Sequence, residues 1–168
     1  MNNQYASEVF HAIYHDDLTA LDASIKKYGT EVIISEEETP LIYAVMMVKP
    51  RLVQCLLEHG ANMYARNISN DTAFHLAASK GHLDIVKLFC DHGIDLNIVG
   101  DEENTALNYA VTFCHDEIAE YLIGQGASLE IPDNIFNKTP LDRIREKENL
   151  SQPRKANERN VIRRMDNQ

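Results

Sequence analysis

A threonine recurs at Thr39, Thr72, Thr105 and Thr139, at intervals of 33, 33 and 34 residues, and a glycine recurs at Gly60, Gly93 and Gly126, 33 apart each time. A single continuous core has no reason to keep such an interval. A period of this length marks stacked copies of one supersecondary unit, each resting on its neighbours. A stack of this kind has no enclosed pocket by construction; it offers a long face suited to holding something else.

Each copy carries the same phrase. The first runs Thr39-Pro40-Leu41-Ile42-Tyr43-Ala44-Val45 and closes on Leu56-Leu57-Glu58-His59-Gly60-Ala61-Asn62. The second opens Thr72-Ala73-Phe74-His75-Leu76-Ala77-Ala78, continues through Gly81-His82-Leu83 and closes at His92-Gly93. The third opens Thr105-Ala106-Leu107-Asn108-Tyr109-Ala110-Val111 and closes at Gln125-Gly126-Ala127. A threonine at a helix start caps free backbone N–H groups. Pro40 and Pro140 fall at the first helical position, where a missing N–H is harmless. Ala44, Ala77 and Ala110 are small enough for neighbouring copies to approach closely. The closing glycines predict a left-handed end to the second helix. Those second helices carry apolar residues at helical spacing: Leu52, Val53, Leu56 and Leu57; Ile85, Val86, Leu88 and Phe89; Ile118, Tyr121, Leu122 and Ile123.

Period, phrase and closing glycine together resemble the ankyrin repeat, most closely in the second copy, and the resemblance spans about residues 34–148. It implies an all-α solenoid of about five helix–turn–helix units joined by hairpin loops. Residues 34–138 are read as three full repeats. Residues 1–33 are read as a degenerate N-terminal cap, with helices over Ser7–Tyr14 and Leu18–Tyr28 ended by Gly29. Residues 139–168 are read as a partial repeat whose first helix reaches about Lys147. Pro153 falls inside the expected second helix and breaks it, so 154–166 is expected to form a displaced cap helix or a loose basic tail. The turn between the two helices reads Gly81-His82 only in the second repeat. Val48-Lys49-Pro50 and Cys114-His115-Asp116 stand there in the first and third, so those corners are expected to be less regular. Arg143 and Arg145 fall where buried residues are usual, which predicts a wet outer side.

Composition narrows the function. Net charge is -10, and residues 138–168 are basic while the remainder is strongly acidic. An acidic body repels phosphate backbones and disfavours nucleic acid as a partner; it suits a basic partner, or simply keeps the chain soluble. The basic cluster Arg154, Lys155, Arg159, Arg163 and Arg164 is the alternative nucleic-acid element, but it lacks interleaved aromatics. No apolar run reaches the ~18 residues of a membrane span, and the first residues do not read as a secretion signal. Cys55, Cys90 and Cys114 are sparse and odd in number, as in a reducing compartment. A cytoplasmic protein is therefore expected, in its own cell or in a host cell if exported.

Catalytic motifs are absent: there is no GxSxG, P-loop, HExxH or GxGxxG. Neither an enzyme nor a small-molecule substrate nor any cofactor is expected. His82 and His115 are equivalent positions, as are His59 and His92; such positions stand one helix spacing apart, about 8–10 Å, too far to share a metal.

The resemblance implies a protein-binding face made of the hairpin loops and the exposed side of the first helices. The candidate residues are Glu36 and Glu38, Met46 and Met47, Arg66, Ile68 and Asp71, Ser79 and Lys80, Asp101, Glu102 and Asn104, Thr112 and Phe113, and Ile135 and Phe136. Met46, Met47, Phe113, Ile135 and Phe136 are apolar at positions expected to face solvent, with acidic residues around them. An apolar centre within an acidic rim fits a partner with a basic, partly apolar patch. The competing reading has Met46 and Phe113 packing on the next repeat. His75 resembles the family's structural histidine, which bonds backbone in the neighbouring loop. Two roles remain open beside the general interaction module: a dedicated inhibitor or immunity protein that neutralises a basic toxin or enzyme, and a host-directed effector. A monomer is the expected unbound state.

Overall fold

A computed structural model describes residues 3–31, 33 and 38–151. Its helices are α1 (Asn3–Tyr14), α2 (Leu18–Tyr28), α3 (Pro40–Met46), α4 (Pro50–Glu58), α5 (Ala73–Lys80), α6 (Leu83–Asp91), α7 (Ala106–Thr112), α8 (Asp116–Gly124) and α9 (Pro140–Ser151). The fold is an all-α solenoid. Helices α1, α3, α5, α7 and α9 touch in succession and make one layer, α2, α4, α6 and α8 make a second, and each repeat pairs one helix from each layer. The tail from residue 152 onward, with its basic cluster and the candidate cap helix, lies outside the described residues, as does Glu36.

Helices of seven to nine residues are too short to persist alone. The layers hold them. Leu52, Val53 and Leu56 of α4, Ile85, Val86 and Phe89 of α6, and Ile118 and Leu122 of α8 are sealed from solvent. The rings of Phe74 and Phe89 meet at 5.8 Å between the layers. Ala44, Ala77 and Ala110 are fully buried where the first helices stack. One expectation fails: Ile123 is 37% exposed, and Ala119 joins the buried face of α8 instead. The steps 118, 119 and 122 stay on one helical face, while Ile123 has turned out of it.

The helix ends follow the repeated residues. Thr39, Thr105 and Thr139 each accept, on Oγ1, the N–H three residues on, at 3.4, 3.1 and 3.1 Å. Gly60, Gly93 and Gly126 take φ of 76°, 76° and 95°, so the following N–H can turn back onto the helix. Helix α9 continues to Ser151, past its expected end near Lys147.

The corners between first and second helices are all alike, contrary to the expected irregularity. Asp16, Val48, Gly81 and Cys114 have φ of 58°, 55°, 82° and 61°. The N–H groups of Asp17, Lys49, His82 and His115 return to carbonyls five residues back at 2.8, 3.0, 2.9 and 2.9 Å. The stack imposes one turn, and the non-glycine residues adopt it against their own preference. A β-branched residue is strained in this region by about 1–3 kcal/mol. Val48→Gly is therefore expected to raise unfolding stability by about 1 kcal/mol after the added flexibility of the unfolded chain is subtracted. The reverse change at the matching corner, Gly81→Val, is expected to destabilise, because a Cβ there meets the His115 ring at 2.8 Å. Urea midpoints that move in the same direction for both variants would contradict this reading of the corners.

Candidate functional site

The hairpin loops lie at one end of the first helices and repeat a common bonding scheme. The N–H groups of Asn67, Gly100 and Asp133 donate to the carbonyls of Asp71, Asn104 and Lys138 at 2.9, 2.8 and 3.0 Å. The last loop holds one more residue than the others, which accounts for the single 34-residue interval. Adjacent loops are laced together. Arg66 Nη1 donates to the Asn70 carbonyl at 2.6 Å and to the Val99 carbonyl of the next loop at 2.9 Å. Asp101 N–H donates to Asp71 Oδ1 at 3.1 Å, and Asn134 N–H to the Glu102 carbonyl at 2.8 Å. The row of loops is thus organised before any partner arrives.

Where the loops at 100–104 and 133–138 meet α7 and α9, they frame a hollow of about 200 Å³. It gathers Asp101, Glu102, Asn104, Thr112, Phe113, Ile135 and Phe136 from the sequence-predicted set, and adds Tyr109, Asp133 and Arg143. Phe113 is 53% exposed, Ile135 57% and Phe136 63%. Phe113 and Phe136 are held there by named contacts. The Phe113 ring lies nearly parallel to that of Tyr109 at 6.2 Å, and Tyr109 meets the edge of buried His75 at 6.0 Å. The Tyr109 hydroxyl donates to Asp71 at 3.2 Å. Burial, and then the Asp71 carboxylate, push that hydroxyl's pKa far up, so it remains a donor.

The base of the 133–138 loop is held by charge. Asp133 Oδ1 accepts the Phe136 N–H at 2.6 Å, while Oδ2 pairs with Arg143 at 2.6 Å. The Asp133 side chain is 1% exposed and that of Arg143 18%. The Arg143 guanidinium also lies 5.6 Å from the centre of the Phe136 ring. Burial raises the Asp133 pKa, but the Phe136 N–H and Arg143 outweigh it and hold the carboxyl below its usual range. Arg143 corrects the expected wet outer side: it is half-buried and anchors the loop, whereas Arg145 is exposed.

Several predicted residues serve other ends. Asp71 and Asn104 are buried and spent on the loops themselves, so their side chains are not offered to a partner. Ser79 is half-buried, its hydroxyl donating to the Leu76 carbonyl at 3.1 Å. Met47 packs against the core, while Met46 is 41% exposed. Ile68 stands at its loop tip at 74% exposure, and Lys80 is exposed at the end of α5. Glu38 is half-buried. Tyr109 escapes a reading of the sequence, and Asp133 reads only as a loop-tip residue, because their roles depend on partners 38 and ten residues away.

Known proteins bear on this arrangement. The family of ankyrin repeats (3 copies) matches residues 9–99 and 41–133. The chain is an ankyrin-repeat protein. It is 34% identical over 109 residues to the probable 26S proteasome regulatory subunit p28 of Saccharomyces cerevisiae, covering 62% of this chain and 47% of the yeast protein. It is 32% identical over 72 residues to the NF-kappa-B inhibitor cactus of Drosophila yakuba, covering 42% of this chain and 15% of that one. It is 34% identical over 110 residues to the human ankyrin repeat domain-containing protein 63, covering 63% and 28%. The chain thus spans less than half the length of these relatives. As an ankyrin-repeat chain it is a protein–protein interaction module. Among the described residues, no helix is long and apolar enough to cross a membrane.

Proposed function

We propose that this ankyrin-repeat chain holds a partner protein at the hollow between α7, α9 and the last two loops, acting by steric occupation and without a catalytic step. The observation that carries the reading is the trio of exposed apolar side chains, Phe113, Ile135 and Phe136, set around a hollow with a braced floor. Exposed aromatics of this kind at a pre-organised depression serve as binding hot spots. Asp101 and Glu102 are exposed beside them, so the partner's matching surface carries an apolar side chain flanked by lysine or arginine.

Phe113→Ala and Phe136→Ala are each expected to weaken the complex by about 2 kcal/mol, roughly thirtyfold in Kd, with little change in thermal midpoint. Calorimetric titration beside a melting curve tests this. Unchanged affinity in both variants would remove the hollow from the interface. A large fall in midpoint for Phe113→Ala would favour the role of packing on Tyr109.

Within this reading, the acidic body and the relatives named as an inhibitor and a regulatory subunit support a dedicated regulator of one basic protein. Such a complex forms with a single protein, and its association slows as salt is raised. Recovery with several unrelated host proteins would support the scaffold or host-directed role instead.

A further inference from the structure

We infer that Asp22, Cys55 and His59 form a site for a zinc-class divalent cation, clasped between α2 and α4 on the layer that does not carry the proposed partner-binding hollow. One carboxylate oxygen, the thiol sulfur and a ring nitrogen all lie within 4.8 Å of one another. Asp22 Oδ1 is 3.2 Å from His59 Nε2, and Cys55 Sγ is 3.8 Å from His59 Nδ1. Zinc bound at about 2.0–2.3 Å by such donors sets them roughly 3–4 Å apart. Oδ1 and Nε2 already stand at that spacing, whereas the 3.8 Å contact of Sγ is to the ring's other nitrogen, so the thiol or the ring must turn to bring Sγ beside Nε2. A mixed sulfur, nitrogen and oxygen set favours zinc and its borderline-soft neighbours over magnesium or calcium. Three protein ligands leave a fourth position for water; all three residues line a surface hollow of about 470 Å³ that also reaches Leu18 and Gln54.

The supporting groups are of the kind that ligands need. His59 Nδ1 lies 2.8 Å from the Cys55 carbonyl. With its proton committed there, Nε2 presents its lone pair toward Asp22, and a histidine held through its other nitrogen is the usual arrangement at a metal. Lys26 Nζ binds Asp22 Oδ2 at 2.6 Å and so leaves Oδ1 turned to the site. Arg51 also borders the hollow and opposes a cation; Glu58, held by Gln54 at 2.8 Å, offsets it.

The rival reading is an Asp22–His59 ion pair beside an inert buried cysteine. The molecule contains its own comparison. One period later, His92 makes the same Nδ1 contact, 2.8 Å to the Leu88 carbonyl. That contact therefore belongs to the helix end in general. Leu88 stands 33 residues from Cys55, so the second repeat has the histidine without the thiol. On binding, the Cys55 thiol releases its proton to solvent and its sulfur bonds the metal as thiolate; the site undergoes no redox change.

Cobalt(II), a spectroscopic stand-in for zinc, tests the site on the full reduced chain. One equivalent is expected to produce a thiolate-to-cobalt charge-transfer band together with the intense visible bands of four-coordinate cobalt, and zinc is expected to displace both. Cys55→Ser and His59→Ala are expected to lose the bands, with affinity falling by more than the roughly 10–100-fold typical of losing an outer supporting group. Cys90→Ser and His92→Ala are expected to retain them. Zinc should also raise the thermal midpoint of the wild-type chain but not of Cys55→Ser. If Cys55→Ser fails to fold, exposed His59→Ala carries the test. Absence of the charge-transfer band in the folded wild-type chain, or its persistence in Cys55→Ser or His59→Ala, would overturn the proposal.

Discussion

Arg143→Ala is expected to destabilise the chain by about 3 kcal/mol at neutral pH, well beyond an ordinary surface change. Removing one member of a buried ion pair costs about 3–5 kcal/mol, because the remaining charge stays desolvated. The lower end applies here, since the Arg143 side chain is 18% exposed and water can reach part of the vacated space. Asp133 would be left with the backbone N–H groups of Phe136 and Lys138 to stabilise its charge. The pH dependence supplies the sign. In the wild-type protein the Asp133 pKa is lowered, so its stabilising contribution is present above the unfolded value near 3.8 and is lost as pH falls through the lower folded value. In Arg143→Ala the opposing effect of burial prevails, and the folded pKa rises. The deficit of the variant is then largest near neutrality and shrinks as acid protonates Asp133. Denaturant titrations of both proteins at several pH values check this. The pair Asp133→Asn with Arg143→Met should recover part of the loss, because no buried charge remains. A deficit that is independent of pH would mean that lost packing on Phe136 is responsible.

His75→Ala is the second large effect, also about 3 kcal/mol. His75 is fully buried at the start of α5. Its Nδ1 accepts the Thr72 N–H at 3.2 Å and the Thr72 hydroxyl at 2.9 Å, so the ring proton sits on Nε2 and is donated to the Ile98 carbonyl at 2.9 Å. Alanine strands these groups away from water at about 1–3 kcal/mol each, and leaves a void besides. The next repeat shows what a smaller side chain can do there. Asn108 Nδ2 reaches the Ile131 carbonyl at 3.1 Å, but its Oδ1 has no partner. His75→Asn is therefore expected to fall between wild type and alanine. Burial lowers the His75 pKa from 6.5, so the unfolded chain takes up the proton first. Stability then drops as pH falls through 6.5 toward the folded value, by at most about 1.4 kcal/mol per pH unit. His75→Asn should lack this component. Urea midpoints at about pH 7.5 and 5.5 measure both effects. Identical pH dependence in wild type and His75→Asn would show that another group governs that range.

The parts of the fold that are legible in the sequence are those where backbone geometry selects the residue. Thr39, Thr72 and Thr105 open helices, and Gly60, Gly93 and Gly126 close them, because few residues suit those positions. The corners at Val48 and Cys114 are opaque for the opposite reason. The stack holds them in a left-handed turn that their side chains do not favour, so local preference points the wrong way. The site is half legible. Phe113, Ile135 and Phe136 are recognisable as apolar residues at exposed positions of a known period. Their supports are not: Arg143 reads as a solvated charge until its pairing with Asp133 is seen. Asp71 and Asn104 read as loop polarity, yet both are buried to satisfy the loops. Asp22 comes from the N-terminal unit and Cys55 and His59 from two different positions of the first full repeat, so a comparison of equivalent histidines passes over them.

The most direct measurement is a quantitative affinity capture from the protein's own cells, comparing wild type with the double variant Phe113→Ala and Phe136→Ala at matched thermal stability. If the hollow holds the partner, a protein bound directly and saturably by the wild-type chain is depleted at least about tenfold on the variant, and the purified pair reproduces this difference. Full retention of that protein by the folded double variant would contradict a binding role for the hollow.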